Sequence, residues 1–341
     1  MKPSLRMLAA VLVVSFSPSC TNQSGATRLP IATPASSEEV RRHDGPLVLV
    51  TIDGVRWQEI FEGTDPKLSG EPRKPASTLV PNLYWLASTN GAFVGAPGHG
   101  VIEASGPEHV SLPGYNEIFA GDARHGCANN DCPRTRSVTL LDDARSHGAK
   151  VAAFASWSKI DLALTAEPGA FLVSCGPRKL GGDGGEMRAD RDTAAEALAY
   201  LESERPDVLY LGLGETDDFA HAGNYPAYVD ALQRADEVVG RILGILGRDD
   251  WGRRAHVIVT PDHGRAKDFR SHGGIAPEAA RVWMVAGGPQ IAARGFVASP
   301  GRRHLADIAP TARLLVGLAP EAELTAGAGE PLHELFAVPT R

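Results

Sequence analysis

Five predominantly apolar runs punctuate the chain, at residues 46–53, 149–154, 208–213, 255–260 and 281–286. None shows the alternation of a half-exposed strand, so each predicts a strand buried on both faces. Between them, apolar positions recur at spacings of three and four, which predicts helices over residues 78–88, 138–146, 192–204, 225–246 and 305–315. Strands that alternate with helices predict an α/β fold, a three-layer α/β/α sandwich around a mostly parallel central sheet. In such a sheet the residues that come after each strand gather along the C-terminal edge, where active sites form. No internal repeat is visible.

Composition changes this picture little. The chain has 341 residues, 43% hydrophobic and 22% charged, enough to bury a sizeable core. A net charge of −7, with no Lys/Arg run interleaved with aromatics, disfavours a nucleic-acid partner. With 37 glycines and 25 prolines, many turns and long loops are expected rather than a helical bundle.

The N-terminus departs from the globular pattern. Lys2 and Arg6 precede a short apolar run at residues 7–16, too short to anchor in a bilayer, and Ser17-Pro18-Ser19-Cys20 comes next. Residues 1–20 therefore read as an export signal, and Cys20 as a candidate lipidation site of a bacterial lipoprotein, although Pro18 is unusual there. The polar stretch to residue 45 reads as a flexible tether, leaving residues 46–341 as a single catalytic domain. Export predicts a periplasmic or membrane-anchored protein. An oxidising compartment allows a disulfide between Cys127 and Cys132, with Cys175 left over; three unpaired thiols are the alternative. No second Cys pair stands at zinc-knuckle spacing.

The candidate chemistry lies at the strand exits. The first run ends in Asp53-Gly54, the third leads into Asp217 and His221, and the fourth into Asp262-His263-Gly264 with His272 close behind. Carboxylates and neutral imidazoles are donors that suit Zn²⁺. Each fragment alone also fits a turn or a helix cap. Their shared position after predicted central strands points to a metal site. Ser111 precedes Leu-Pro-Gly and an apolar helix, so it fits an N-cap with Pro113 at a first helical position. The same geometry would present a hydroxyl where free N–H groups favour an anion, and beside a metal that hydroxyl is a competent nucleophile. The Gly-rich stretch at residues 181–186 lacks the Gly-Lys-Ser/Thr of a phosphate loop.

In this order the motifs resemble the alkaline phosphatase superfamily, in particular its type I phosphodiesterase/nucleotide pyrophosphatase branch. The likeness runs through Asp53, Pro81-Asn82-Leu83, Ser111 to Gly121, Asp217 and His221, Asp262-His263-Gly264, His272, and Asp307 to Thr311 with Leu314, Leu315 and Gly317 beyond. It implies two divalent ions, most simply Zn²⁺. One would be held by Asp217, His221 and His272, the other by Asp53, Asp262, His263 and the Ser111 oxygen. The reaction implied is hydrolysis of a small-molecule phosphate ester through a phosphoseryl intermediate. The branch also places an Asn after a His-Gly pair as donor to the phosphoryl oxygen; after His125-Gly126 the spacing favours Asn130 over Asn129.

The sequence departs from the branch in informative places. Ser111-Leu-Pro-Gly-Tyr115 replaces a Thr-Phe-Pro-Asn-His setting. Tyr115 stands where a sulfatase would carry the Arg of its modification signal, which argues against a sulfatase. Lys159 is one cation where some monoesterases have a Lys-x-Arg pair, so it is expected to bind substrate and to lean the preference towards diesters. Arg265, Lys267 and Arg270 are expected to be solvated, Asp218 to lie behind the ligands or in solvent, and Trp157 and Tyr115 to pack in the core. The alternatives are a phosphate monoesterase, a sulfatase or phosphonate hydrolase, a phosphomutase-like enzyme, and a catalytically silent binding lipoprotein.

Overall fold

β1 (Leu47–Ile52) lies inside an eight-stranded sheet of a computed structural model that describes residues 45–177, 187–274, 276–318 and 327–336. The export signal, Cys20, most of the tether and the Gly-rich stretch 181–186 fall outside the described residues. The remaining strands are β2 (Gly91–Val94), β3 (Val101–Glu103), β4 (Val151–Ala155), β5 (Leu172–Cys175), β6 (Val208–Leu213), β7 (His256–Thr260), β8 (Arg281–Val282), β9 (Met284–Gly287), β10 (Gly295–Phe296) and β11 (Arg302–His304). The large sheet has the order β10-β2-β9-β7-β1-β6-β4-β5, and β11-β3-β8 form a small second sheet.

β1 is flanked by β6 and β7, both parallel to it. Its residues alternate between two cores. Leu47 and Leu49 face the helices Ser111–Ala120, Leu140–Ser146 and Ile308–Leu315; Val48, Val50 and Ile52 face Pro81–Thr89, Asp190–Glu204 and Tyr225–Leu246. Both faces are thus covered, which is why the run is apolar at every position but Thr51, whose hydroxyl is paired with that of Tyr210 at 2.7 Å. Each fully buried Val, Leu or Ile contributes about 1.5–3 kcal/mol. The architecture is the expected α/β sandwich.

Two expectations need correction. The run 281–286 is not one strand. Arg281–Val282 joins the small sheet and Met284–Gly287 enters the large one, with Trp283 between them donating its indole N–H to Val55 O at 3.1 Å. β9 is antiparallel to both β7 and β2, a reversal that hydrophobic periodicity cannot report because it is blind to direction. The helix expected over 78–88 is also two, Ala76–Leu79 and Pro81–Thr89. Pro81 pushes Val80 out of the helical region, at φ −128° and ψ 64°, and opens the second helix itself.

Candidate active site

The exits of β1, β6 and β7 reach the same level. Ile52 is in register with Leu213 and Thr51 with Thr260, so Asp53, Gly214 and Pro261-Asp262 emerge side by side. Two bonds tie the first two exits: Asp53 N donates to Leu213 O at 2.9 Å, and Thr216 Oγ1 to Asp53 O at 2.6 Å. After β6 the chain turns into the helix Glu215–His221, whose first backbone groups are bound by Asp190, at 2.8 Å from Gly214 N and 3.0 Å from Glu215 N. Asp217 and His221 are four residues apart on that helix and share a face.

The expected ligands converge as two clusters, Asp53 with Asp262 and His263, and Asp217 with His221 and His272; within each, ligand atoms lie within 4.8 Å of one another. The first, inner cluster is buried throughout. His263 Nε2 stands 3.5 Å from Asp53 Oδ1 and 3.5 Å from Asp262 Oδ2. Those two carboxylate oxygens are buried with no hydrogen-bond partner, although each residue's other oxygen is used, Asp53 Oδ2 by the Tyr115 hydroxyl at 2.9 Å and Asp262 Oδ1 by Gly54 N at 3.1 Å. Buried carboxylate oxygens are normally satisfied. Two orphans aimed at one imidazole nitrogen fit a cation.

Protonation agrees. Burial, then the charges of Asp262 and Asp217, push the Asp53 carboxyl well above its ordinary value. Burial and Asp217 push Asp262 up to about 7. Burial lowers His263 to about 4, so its ring is neutral at neutral pH. His263 Nδ1 lies 2.8 Å from the Gly264 carbonyl, which assigns the proton to Nδ1 and leaves Nε2 as the electron-pair donor.

The outer cluster is more open. His221 Nε2 is 3.1 Å from Asp217 Oδ2 and 2.9 Å from His272 Nε2, a nitrogen pair that needs a proton or a cation between its members. Burial and then His263 lower His272 to about 3, and its Nδ1 is held by His109 O at 3.1 Å. Burial works against ionisation of Asp217, but the bond from His221 and the charge of Arg265 hold its carboxyl well below the ordinary range. The His263 and His272 rings stack at 3.9 Å between the clusters.

Ser111 is the first residue of the helix Ser111–Ala120, and Val110 is the N-cap. Its hydroxyl makes no capping bond, so the expectation of a capping serine fails; Oγ instead lies 3.1 Å from His263 Nε2. The helix reaches this close because residue 114 is glycine: a Cβ there would stand 2.2 Å from Asp262 O. Asn130 Oδ1 accepts from Leu112 N at 2.9 Å, which ties the Asn130 side chain to the first turn of that helix. Asn129 instead uses its Oδ1 on Asp131 N at 2.8 Å in an exposed turn. Cys127 and Cys132 form the expected disulfide around this loop, and burial pushes the thiol of Cys175, which is unbridged, up to about 12.

A cleft of about 200 Å³ opens over Ser111, lined by Asp53, Asn130, Trp157, Met187, Gly214, Asp217, Asp218, His221 and His272. Trp157 and the exposed Asp218 thus face the cleft. Lys159 is not among the lining residues; its ammonium pairs with Asp131 at 3.2 Å. Two residues read as bystanders belong to the site. Tyr115 is in the core as expected, but its hydroxyl holds a candidate ligand. Arg265, expected in solvent, is 2% exposed and bonds Asp217. Lys267 and Arg270 do lie outside, Lys267 paired with Glu278 at 2.9 Å.

A family profile for the metalloenzyme superfamily matches residues 183–320, the segment that carries Asp217, His221, Asp262, His263 and His272. The matched segment is that of an alkaline phosphatase-like metalloenzyme. Among curated relatives, a 2,3-bisphosphoglycerate-independent phosphoglycerate mutase from Haloarcula marismortui is 30% identical over 44% of this chain and 27% of its own length. The chain therefore spans about a quarter of that relative. Two solved structures share the fold: a 2-O GAG sulfatase, at 14% identity and TM-score 0.62 over 86% of this chain and 74% of its own, and murine ectonucleotide pyrophosphatase/phosphodiesterase 5 in complex with AMP, at 14% identity and TM-score 0.58 over 86% of this chain and 100% of its own. This metalloenzyme match implies divalent metal ions, and the two clusters are where the described residues would hold them.

Proposed function

We propose that the chain is a metal-dependent hydrolase of phosphate esters, acting on diesters through a phosphoseryl intermediate on Ser111. The observation that carries this reading is the Ser111 hydroxyl at a helix N-terminus, 3.1 Å from His263 Nε2 and at the floor of a cleft bordered by both ligand clusters. Asp53, Asp262 and His263 would hold one ion and Asp217, His221 and His272 the other. Bound there, divalent ions lower the pKa of a neighbouring hydroxyl and offset charge on phosphoryl oxygens. Zn²⁺ suits the nitrogen and carboxylate donors.

Ser111 Oγ forms a bond to phosphorus as the ester P–O bond breaks and the alcohol leaves; water then attacks the phosphoserine and frees Ser111. The positive end of the Ser111 helix dipole lies at the anion, and the Asn130 side chain, whose Oδ1 accepts from Leu112 N, turns its amide N–H to donate to a phosphoryl oxygen. Diester preference rests on charge: among the described residues lining the cleft there is no Lys or Arg. Lys159 is paired with Asp131 and Arg265 with Asp217, so neither offers a full charge to the second anionic oxygen of a monoester. Export and lipidation at Cys20 remain part of the proposal, supported by the apolar run 7–16 and by a disulfide suited to an oxidising compartment.

The test is hydrolysis of bis-p-nitrophenyl phosphate beside p-nitrophenyl phosphate, a nitrophenyl phosphonate monoester and nitrophenyl sulfate, with and without chelator. Chelator-sensitive turnover of the diester, lost in Ser111→Ala, is expected. Faster turnover of another ester reassigns the substrate class within the superfamily; no turnover of any by metal-loaded protein leaves the silent binding protein as the better reading.

A further inference from the structure

Arg265 is buried beside the outer cluster and every part of its guanidinium is engaged. Nε donates to Phe269 O at 2.6 Å, Nη2 to Arg270 O at 2.7 Å, and Nη1 to Asp217 Oδ1. The turn that supplies the two carbonyls is constrained: Phe269 has φ 67°, a left-handed conformation unusual for an aromatic residue, and is held there by packing on Tyr225 and Tyr228 at ring distances of 5.2 and 5.0 Å. Space for the pair is left by Gly54, where a Cβ would lie 2.6 Å from Arg265 Nη1 and 2.7 Å from Asp217 Oδ1. A strained turn, a missing Cβ and a caged cation all serve one contact.

The contact makes the clusters electrically unequal. Holding an ion, the inner cluster presents two carboxylates, Asp53 and Asp262, with no cation bonded to either among the described residues. The outer cluster has one carboxylate, Asp217, whose charge Arg265 already cancels, and two imidazoles. Asp217 Oδ1 is committed to the guanidinium, so only Oδ2 is left to a metal. Solvent access runs the same way: the His263 side chain is 0% exposed and that of His221 49%.

We propose that Arg265 sets the two metal sites apart, the inner holding its ion tightly and the outer a loose, exchangeable site whose occupancy tracks the surrounding divalent-metal concentration. Arg265 is thereby a positioning residue that tunes Asp217, and catalytic competence is coupled to metal supply at one site. This rests on the two-metal reading above.

The test counts metal. Protein loaded with Zn²⁺ is dialysed against metal-free buffer at neutral pH, its zinc measured by mass spectrometry, and Zn²⁺ titrated back against a competing chelator. Wild type should retain about one equivalent and bind the second at least about tenfold more weakly. Asp217→Asn should remove the weak equivalent and leave the tight one. Arg265→Gln should tighten the second by about tenfold or more while the first is unchanged, and Arg265→Lys, which keeps the charge but not the guanidinium fork, should tighten it less than Arg265→Gln does. Equal affinities in wild type overturn this inference alone, even if Arg265→Gln does not fold. So does an Arg265→Gln protein with no tighter second site, or loss of the tight equivalent in Asp217→Asn. Protein that takes up no Zn²⁺ overturns the hydrolase reading as well.

Discussion

The Tyr115 hydroxyl donates to Asp53 Oδ2 at 2.9 Å, joining residues 62 positions apart in the chain. Tyr115 lies four residues after Ser111 on the same helix, so one helix delivers the nucleophile and also braces a carboxylate of the inner cluster. Tyr115→Phe removes that brace and keeps the ring in the core. The expected result is a metal affinity lower by about 10–100-fold at the inner site, with turnover recovered at high Zn²⁺. Zinc titration with turnover measured at each point checks it, and wild-type affinity would show the bond to be incidental.

Asn130 and Asn129 are adjacent but point to different work. Asn130→Ala removes the amide tied to Leu112 N and should lower kcat by about 10²–10³. Asn129→Ala loses only a turn bond to Asp131 N and should stay within about threefold of wild type. Steady-state kinetics on a diester compares them directly. Equal losses would mean the loop, rather than the amide, is what counts.

The Cys127–Cys132 disulfide closes the loop in which Asn130 sits. A ring this small constrains the unfolded chain by only about 2 kcal/mol, so the fold should survive its loss. Activity should fall, because Asn130 is then less firmly held. The cycle of Cys127→Ser/Cys132→Ser with Asn130→Ala separates the effects: removing the bridge should cost about tenfold in kcat/KM in the wild-type background and almost nothing once Asn130 is gone. Additive losses would place the disulfide's effect elsewhere.

Metal binding should depend on pH through carboxylates rather than imidazoles. In the metal-free fold Asp262 stays protonated up to about pH 7, whereas its unfolded carboxyl ionises near 3.8, so the native state binds more protons between these values. Stability from this group is therefore present at low pH and declines as the pH climbs through 7. His263 and His272, lowered to about 4 and about 3, act oppositely, their contribution growing as the pH rises to the ordinary imidazole value. Zn²⁺ should bind more tightly from pH 5.5 to 8 with release of carboxyl protons, which calorimetry in buffers of different ionisation enthalpy will count. Affinity unchanged across that range would contradict the assignment.

Much of the site was legible because three apolar runs each end in a polar cluster, and a buried parallel strand must deliver the residues at its exit to one edge of the sheet. Asp53, Asp217 with His221, and Asp262-His263 are read from that alone; His272 is added by its proximity to β7 in the chain. Nothing local marked Arg265, since an arginine in a polar loop with Lys267 and Arg270 looks like any solvated cation. Its burial depends on Phe269 folding under it and on Gly54, more than two hundred residues earlier, leaving room. Lys159 erred the other way, because its pairing with Asp131 comes from a loop tied down by Asn130 and the disulfide.

By itself, then, the sequence determined most of the strands and helices, the layering and the identity of the candidate metal-binding side chains, since apolar periodicity and short motifs act over a few residues and survive in any register. The tertiary structure alone decided the reversal of β9, the service of Tyr115 to Asp53, the confinement of Arg265 against Asp217 and the different attachments of Asn130 and Asn129. Strand direction, the burial of a charge and the partner of a hydroxyl are relations between distant segments. Their free energy exists only once those segments have been brought together.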